Sequence, residues 1–292
     1  MIYYHNPIYD GDLVLSVDNF ILDASISSPA IRELLENIIR NIANGMKMSV
    51  VSWESHKPGT FRYQTAFRID DERSFWLGHG LISSGTLVER YRLEANPNKV
   101  GNDPNFQLIR EFLVRNSREI LCRVPRFDLA IDIHVDRSLC FLVKDRRLYI
   151  ERRHGAEFTQ YLGSKSSSVG RVKLYNKTVE AKLDYPLTRL ELTLDPNKPY
   201  EEVNFPKVYV INQAAMDGVR LTETERFIVN AVLQGCGKVT DLGRKMGEKI
   251  ERILDDHLGV VEITKDSYDL ILDQVKTYCT KSAETTKGGV SL

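Results

Sequence analysis

The chain of 292 residues predicts an α+β fold: a mostly antiparallel sheet domain with flanking helices, followed by a small helical, winged-helix-like region. Three features predict it. Short segments alternating polar with apolar residues recur as far as Leu194, separated by turn residues. Two amphipathic stretches among them open on Ser28-Pro29 and Asp103-Pro104, pairs that start helices. Beyond the stretch from Asp195 to Tyr200, which holds two prolines, the pattern becomes helical.

Residues 13–26 alternate as a strand. Ser28 then serves as N-cap and Pro29 as first helical residue, with Ile31, Leu34, Leu35, Ile38, Ile39 and Ile42 as the apolar stripe and Gly45 as the stop. Residues 48–56 and 60–69 form a hairpin around Lys57, Pro58 and Gly59, and 74–78 and 87–95 are further strands. Asp103-Pro104 opens a helix carrying Phe106, Ile109, Phe112 and Leu113 on one side. Strands follow at 119–135, 138–143, 146–151, 157–162, 170–177 and 187–194. Thr222 and Glu225 form a capping box ahead of Phe227, Ile228, Ala231, Val232 and Leu233. Gly235 and Gly237 break that helix, 239–246 is a short helix, Gly247 a turn, 248–257 a helix, 259–264 a strand or wing, and 266–278 a last helix. The expected division is a sheet domain over 1–195, a helical region over 196–279 and a loose polar tail over 280–292.

A hydrophobic content of 42% suits a globular core, and no stretch approaches the roughly 20 apolar residues of a membrane span. No basic region followed by an apolar run marks a signal peptide, so a cytoplasmic protein without membrane partners is expected. Cys122, Cys140, Cys236 and Cys279 are scattered and fit thiols in a reducing compartment rather than zinc or a disulfide framework. The net charge is zero, which by itself argues against a nucleic-acid protein, but its distribution does not. Residues 137–182 hold eleven Lys/Arg against four acids, so this segment is +7 and the remainder −7. Concentrated positive charge of this kind suits a polyanion; a solvated basic face is the other reading.

The chemistry concentrates in residues 126–191. Arg126, Asp128, Asp132 and His134 share one strand face, opposed by Phe127, Leu129, Ile131 and Ile133. Lys173, Tyr175 and Lys177 share a face, as do Arg189 and Glu191. If these strands are neighbours, one surface presents acids, bases and a tyrosine. Asp128 and Asp132 lie about 13 Å apart along an extended strand, too far to ligate one ion together unless the strand bulges. A salt-bridge layer with Arg126, Arg171 and Arg189 is the structural alternative for these acids.

Four patterns in this order resemble the replication-initiation factor family, often called Rep_trans: rolling-circle initiators of Gram-positive plasmids and related relaxases of conjugative elements. They are RxDxAxD at Arg126–Asp132, TxYxGSxxS at Thr159–Ser167, YxKxxE at Tyr175–Glu180 and RxE at Arg189–Glu191. Arg92 to Lys99, containing Glu94 and Asn96, resembles a segment preceding the Asp strand in such proteins. The likeness covers about a third of the chain, from Arg92 to Leu194; Lys165 stands where the family often has Arg. The first 85 residues carry no quotable family pattern.

The resemblance implies a site-specific nicking and joining enzyme. A tyrosine attacks a phosphodiester, stays on the 5′ phosphate and frees a 3′ hydroxyl, with a divalent metal assisting. Tyr175 is the expected nucleophile, with Lys173 and Lys177 favouring its phenolate or holding the phosphate, and Arg189 beside them; Tyr161 is its rival. Asp128, Asp132, Glu191 and Glu94 are the candidate ligands of Mg²⁺ or Mn²⁺. Tyr161, Ser164, Lys165, Arg171 and Arg126 are the candidate DNA contacts. The implied partners are origin DNA, duplex and single strand, a host helicase and a second copy in a homodimer. A conjugative relaxase, or a DNA-binding initiator or regulator with an inactive site, are the other readings. The helix expected at 248–257 is net −2, which suits a DNA reader badly.

Overall fold

The computed structural model describes residues 2–6, 11–45, 48–117, 122–154, 157–164, 169–211, 220–233 and 237–278. The chain begins with β1 (Ile2–Asn6), β2 (Gly11–Ala24), α1 (Pro29–Asn44), β3 (Ser49–Glu54), β4 (Phe61–Arg68), β5 (Ser74–Ser83) and β6 (Thr86–Ala95). Next come α2 (Pro97–Val100), α3 (Pro104–Asn116), β7 (Arg123–Ile133), β8 (Cys140–Leu142), β9 (Tyr149–His154), β10 (Glu157–Leu162) and β11 (Val172–Asn176). The remainder is α4 (Lys177–Ala181), β12 (Thr188–Leu194), β13 (Val208–Ile211), α5 (Glu223–Leu233), α6 (Arg244–His257), β14 (Leu258–Val260) and α7 (Lys265–Thr277). The fold is α+β, and every strand pair whose register is described is antiparallel.

Contacts divide the chain into two compact units, and the division does not fall at residue 195. One unit is 1–16 with 128–271; the other is 17–127 with 272–292. In the latter, strands run in the order β3-β4-β5-β6-β2. Its turns follow from residue type: Gly59 at φ +77°, then Ser84 and Gly85 at +49° and +79°, the left-handed pair that reverses a two-residue hairpin. That second turn carries β5 to Ser83, beyond the end at 78 that alternation predicts. Asp103 caps α3 by accepting from the N–H groups of Asn105 (3.0 Å) and Phe106 (2.9 Å). Gly45 closes α1 from extended backbone, φ −79°, rather than from a left-handed cap. The core is aromatic: Phe67 stacks on Phe75 at 4.5 Å, and Phe106 meets Phe75 and Phe20 edge-on at 5.5 and 6.2 Å.

In the unit built on 128–271, strands run β7-β12-β11-β10-β9, and a smaller sheet runs β14-β13-β8. Strand β7 carries the expected alternation, with Phe127, Leu129, Ile131 and Ile133 buried and Asp128 and Asp132 half-buried. The small sheet explains why residue 195 is no boundary: β8 pairs with β13, Val208 opposite Leu142. The helical part packs on it through Tyr209, Val229, Ile250, Leu254 and Leu258. The expected capping box forms, Thr222 N–H donating to Glu225 at 3.0 Å and Glu225 N–H to the Thr222 hydroxyl at 3.3 Å. Gly247 lies inside α6 rather than at a turn; a Cβ there would sit 3.2 Å from the Val239 carbonyl oxygen. Because α6 begins at Arg244, it gains Arg244 and Lys245 and is charge-balanced, not net −2. Gly235 and the tail from residue 280 lie outside the described residues.

Candidate functional site

Antiparallel register decides which polar residues meet. Tyr161 on β10 is opposite Lys173 on β11, which is opposite Glu191 on β12. In the next rung Tyr175 is opposite Arg189. Register partners point to one face, so β10, β11 and β12 present one surface, as the alternation predicts. Lys177 is the exception: β11 ends at Asn176, whose side chain caps α4 by accepting from Val179 N–H at 3.1 Å, and Lys177 begins that helix.

At the centre, the Tyr175 hydroxyl donates to Glu191 Oε1 at 2.5 Å. Lys173 Nζ lies 3.6 Å from the Tyr175 ring centroid and 3.6 Å from Glu191 Oε2. Lys177 Nζ is 5.9 Å from the same ring and pairs with Glu180. Tyr175 is only 4% exposed. Burial first, then the Glu191 carboxylate, raises its phenol far above the ordinary value. The lysines therefore do not stabilise a standing phenolate as their spacing suggests. Lys173 lies over the ring face as a cation–π contact, while the group touching the oxygen is an anion that holds the proton on.

Arg189 grips Asp132 with two parallel hydrogen bonds, Nε to Oδ1 at 2.6 Å and an Nη to Oδ2 at 2.8 Å. Both side chains are nearly buried, at 11% and 13% exposure. Asp128 is half-buried further along β7. Glu94 belongs to the other unit, where it accepts from Asn19 Nδ2 at 3.0 Å. Its motif neighbours are structural too: Arg92 grips Asp23 at 2.7 and 2.8 Å, and Asn96 caps α2 through Asn98 N–H. Among the described residues no group of three His, Cys, Asp or Glu is placed to hold a metal. Asp132 is committed to a guanidinium and Glu191 to a phenol and an ammonium, so the acids as arranged do not fit Mg²⁺ or Mn²⁺.

The candidate DNA contacts separate. Tyr161 is half-buried in a cavity of about 220 Å³ with Ser164 and Arg171; Arg171 and Arg152 lie 5.4 and 5.7 Å from its ring centroid. Gly163, at φ +87°, makes the bend that follows it. Arg126 is half-buried on β7, in the other unit, and Lys165 lies outside the described residues. His134 is exposed and stacks on Tyr185 at 6.3 Å. One charge of the +7 segment is internal: Arg137, 3% exposed, donates to the Cys140 carbonyl (2.5 Å) and Gln160 Oε1 (2.7 Å), and burial pulls its guanidinium down to about 10. Sequence reasoning missed that support, since nothing in the spacing marks one of the eleven Lys/Arg as buried.

No family model and no curated protein matches the chain. Among solved structures it is similar to the "Structure of Rolling Circle Replication Initiator Protein from Geobacillus stearothermophilus", with 16% identity over 63% of this chain and 74% of that one, at a TM-score of 0.38. A likeness at that level carries no argument about chemistry, which rests on the residues. No helix among the described residues is long and apolar enough to cross a membrane.

Proposed function

We propose that the protein initiates rolling-circle replication of a plasmid or similar element, nicking and rejoining one strand of origin DNA through Tyr175. The observation that carries this is the 2.5 Å hydrogen bond from the Tyr175 hydroxyl to Glu191, inside the four motif patterns. A phenol held protonated needs a base at the moment of attack, and Glu191 already accepts its proton. Tyr175 Oη attacks phosphorus as its proton passes to Glu191. The P–O3′ bond breaks, and the 3′ oxygen leaves as a hydroxyl with a proton from solvent. Rejoining reverses this, Glu191 returning the proton to the phenol. Lys173 moves from the ring face onto the non-bridging phosphate oxygens, which also opens the way to a hydroxyl that is otherwise buried. Arg189, fixed by Asp132, orients β12 behind Glu191.

Tyr161 is the second reading. It is more accessible than Tyr175 and has Arg152 and Arg171 beside its ring. A conjugative relaxase would use the same chemistry on a transfer origin, and an inactive site would leave a DNA-binding regulator. The host helicase and homodimer implied by the resemblance are part of the proposal, whereas the implied Mg²⁺ or Mn²⁺ finds no group of three acids or histidines among the described residues. The test incubates supercoiled origin DNA with Mn²⁺ and maps the covalent DNA–peptide adduct by mass spectrometry. The adduct is expected on Tyr175, and Tyr175→Phe should abolish nicking while leaving DNA binding within a few-fold. An adduct on Tyr161 moves the nucleophile; a gel shift without any adduct leaves a binder only. Full nicking in excess EDTA removes the metal.

A further inference from the structure

A cavity of about 220 Å³ surrounds Tyr161, on the sheet face that also carries Lys173 and Tyr175. Register places its two arginines. Tyr161 is opposite Ile150 on β9 and Lys173 on β11, so Arg152 and Arg171, two residues from those partners, share its face. Arg152 stands opposite Thr159, on one side of Tyr161 along the strand. Arg171 lies on the other side, beyond the pair of Leu162 with Val172. Their guanidiniums come within 5.7 and 5.4 Å of the ring centroid, the range of a cation–π contact. Leu148, Ile150, Gly163 and Ser164 complete the lining.

Charge balance differs between the two tyrosines. Around Tyr175 each cation has an acid: Arg189 with Asp132, Lys173 with Glu191, Lys177 with Glu180. Around Tyr161 no carboxylate lines the cavity, and neither arginine has an ion pair among the described residues. The chain from Tyr161 to Lys173 contains no acid at all. Two guanidiniums walling one cavity repel each other, and an anion beside them offsets that repulsion. The volume is below the about 300–1,000 Å³ of small-molecule sites, so the cavity takes one group of a larger ligand.

We propose that Arg152 and Arg171 hold the phosphate backbone of the DNA strand beside the scissile phosphate, with the Tyr161 ring fixing both guanidiniums. The identity of the polymer rests on the nicking reading at Tyr175. Tyr161 and Tyr175 are diagonal neighbours across β10 and β11, about 7–8 Å apart, so a strand bound at one passes the other. A guanidinium held over a ring keeps its N–H edge free for phosphate oxygens, whereas a base would need the ring face that the arginines cover. Tyr161 is then a positioning residue and not a second nucleophile.

The test follows a fluorescein-labelled single-stranded oligo-dT binding to the full chain by anisotropy across a KCl series. Arg152→Gln and Arg171→Gln should each reduce the slope of log affinity against log salt by about 0.7, the share of one phosphate contact on a single strand. Arg152→Lys and Arg171→Lys keep the charge and should keep the slope. Tyr161→Phe keeps the ring and should bind as the wild type does, whereas Tyr161→Ala should lose slope as the Gln variants do. An unchanged slope in both Gln variants, or an equal loss in the Lys variants, overturns the proposal. So does a covalent DNA adduct on Tyr161. Inorganic phosphate at matched ionic strength that binds the wild type and not the Gln variants, while oligo-dT binds all alike, overturns it too and makes this a free-anion site. Nicking of origin DNA, assayed in parallel, separates the two readings. Wild-type nicking with an unchanged slope in the Gln variants removes only this subsite, and a reduced slope with no wild-type nicking removes only the nuclease.

Discussion

Tyr175 shows how spacing and contact can disagree about one residue. Two lysines at i−2 and i+2 suggest an acidified phenol, yet the atom 2.5 Å from its oxygen is a carboxylate and the pKa moves up. Proximity to the oxygen outweighs proximity to the ring, because the charge on ionisation develops at the oxygen. Asp132 makes the same point. As a metal ligand its loss would leave the fold intact; as half of a nearly buried pair with Arg189 its loss strands a guanidinium. Asp132→Ala should therefore destabilise the protein by about 3–5 kcal/mol, with much of the loss recovered in Asp132→Ala/Arg189→Met. Urea midpoints of the two variants check this, and an Asp132→Ala protein of wild-type stability would restore the ligand role.

At the scale of elements, the hairpins of the 17–127 unit depend on close approach. Gly78 on β5 has no room for a side chain: a Cβ would lie 2.3 Å from the Trp76 ring and 2.7 Å from that of Phe61. Gly78→Ala should cost about 1–3 kcal/mol by forcing two rings off their contacts, and thermal melting measures it. The caps of α3 and α5 were legible because a cap is a local bond between residues two or three apart. Helix α6 was misread at Gly247 because its glycine serves a tertiary contact with the Val239 carbonyl, which local spacing cannot register.

For the whole molecule, burial of phenols sets an alkaline limit. Tyr91, Tyr149 and Tyr268 are pushed up to about 12 by burial, and Tyr175 and Tyr209 are raised as well. A raised folded-state phenol contributes stability that is full below the unfolded value, about 10, and lost above it. Melting temperature should hold to about pH 10 and fall as the pH climbs to 12, with phenolate absorbance rising in the same window. A full set of phenols titrating near 10 in the folded protein would contradict this. The pairing of β8 with β13 has a practical consequence: a cut after Leu194 removes strand and helices from the unit that carries Tyr175, so the regions are best assayed in the full chain.

The sequence alone determined the α+β class, most strand positions and, within each strand, the shared face of Lys173 with Tyr175 and of Arg189 with Glu191, because period-two alternation is a short-range rule. Only the tertiary structure decided who pairs with whom across strands: Asp132 with Arg189, Tyr175 with Glu191, Glu94 with Asn19. It also decided where the units divide and that Tyr63, His79 and Tyr91 form one rung. That rung needed the register of two hairpins, and the second turned on the Ser84-Gly85 reversal that alternation ending at 78 did not reach. Register couples residues 12 to 16 apart, and an ion pair and a side-chain hydrogen bond couple residues 57 and 75 apart; one-dimensional patterns say which face a residue takes, and packing alone says what stands opposite.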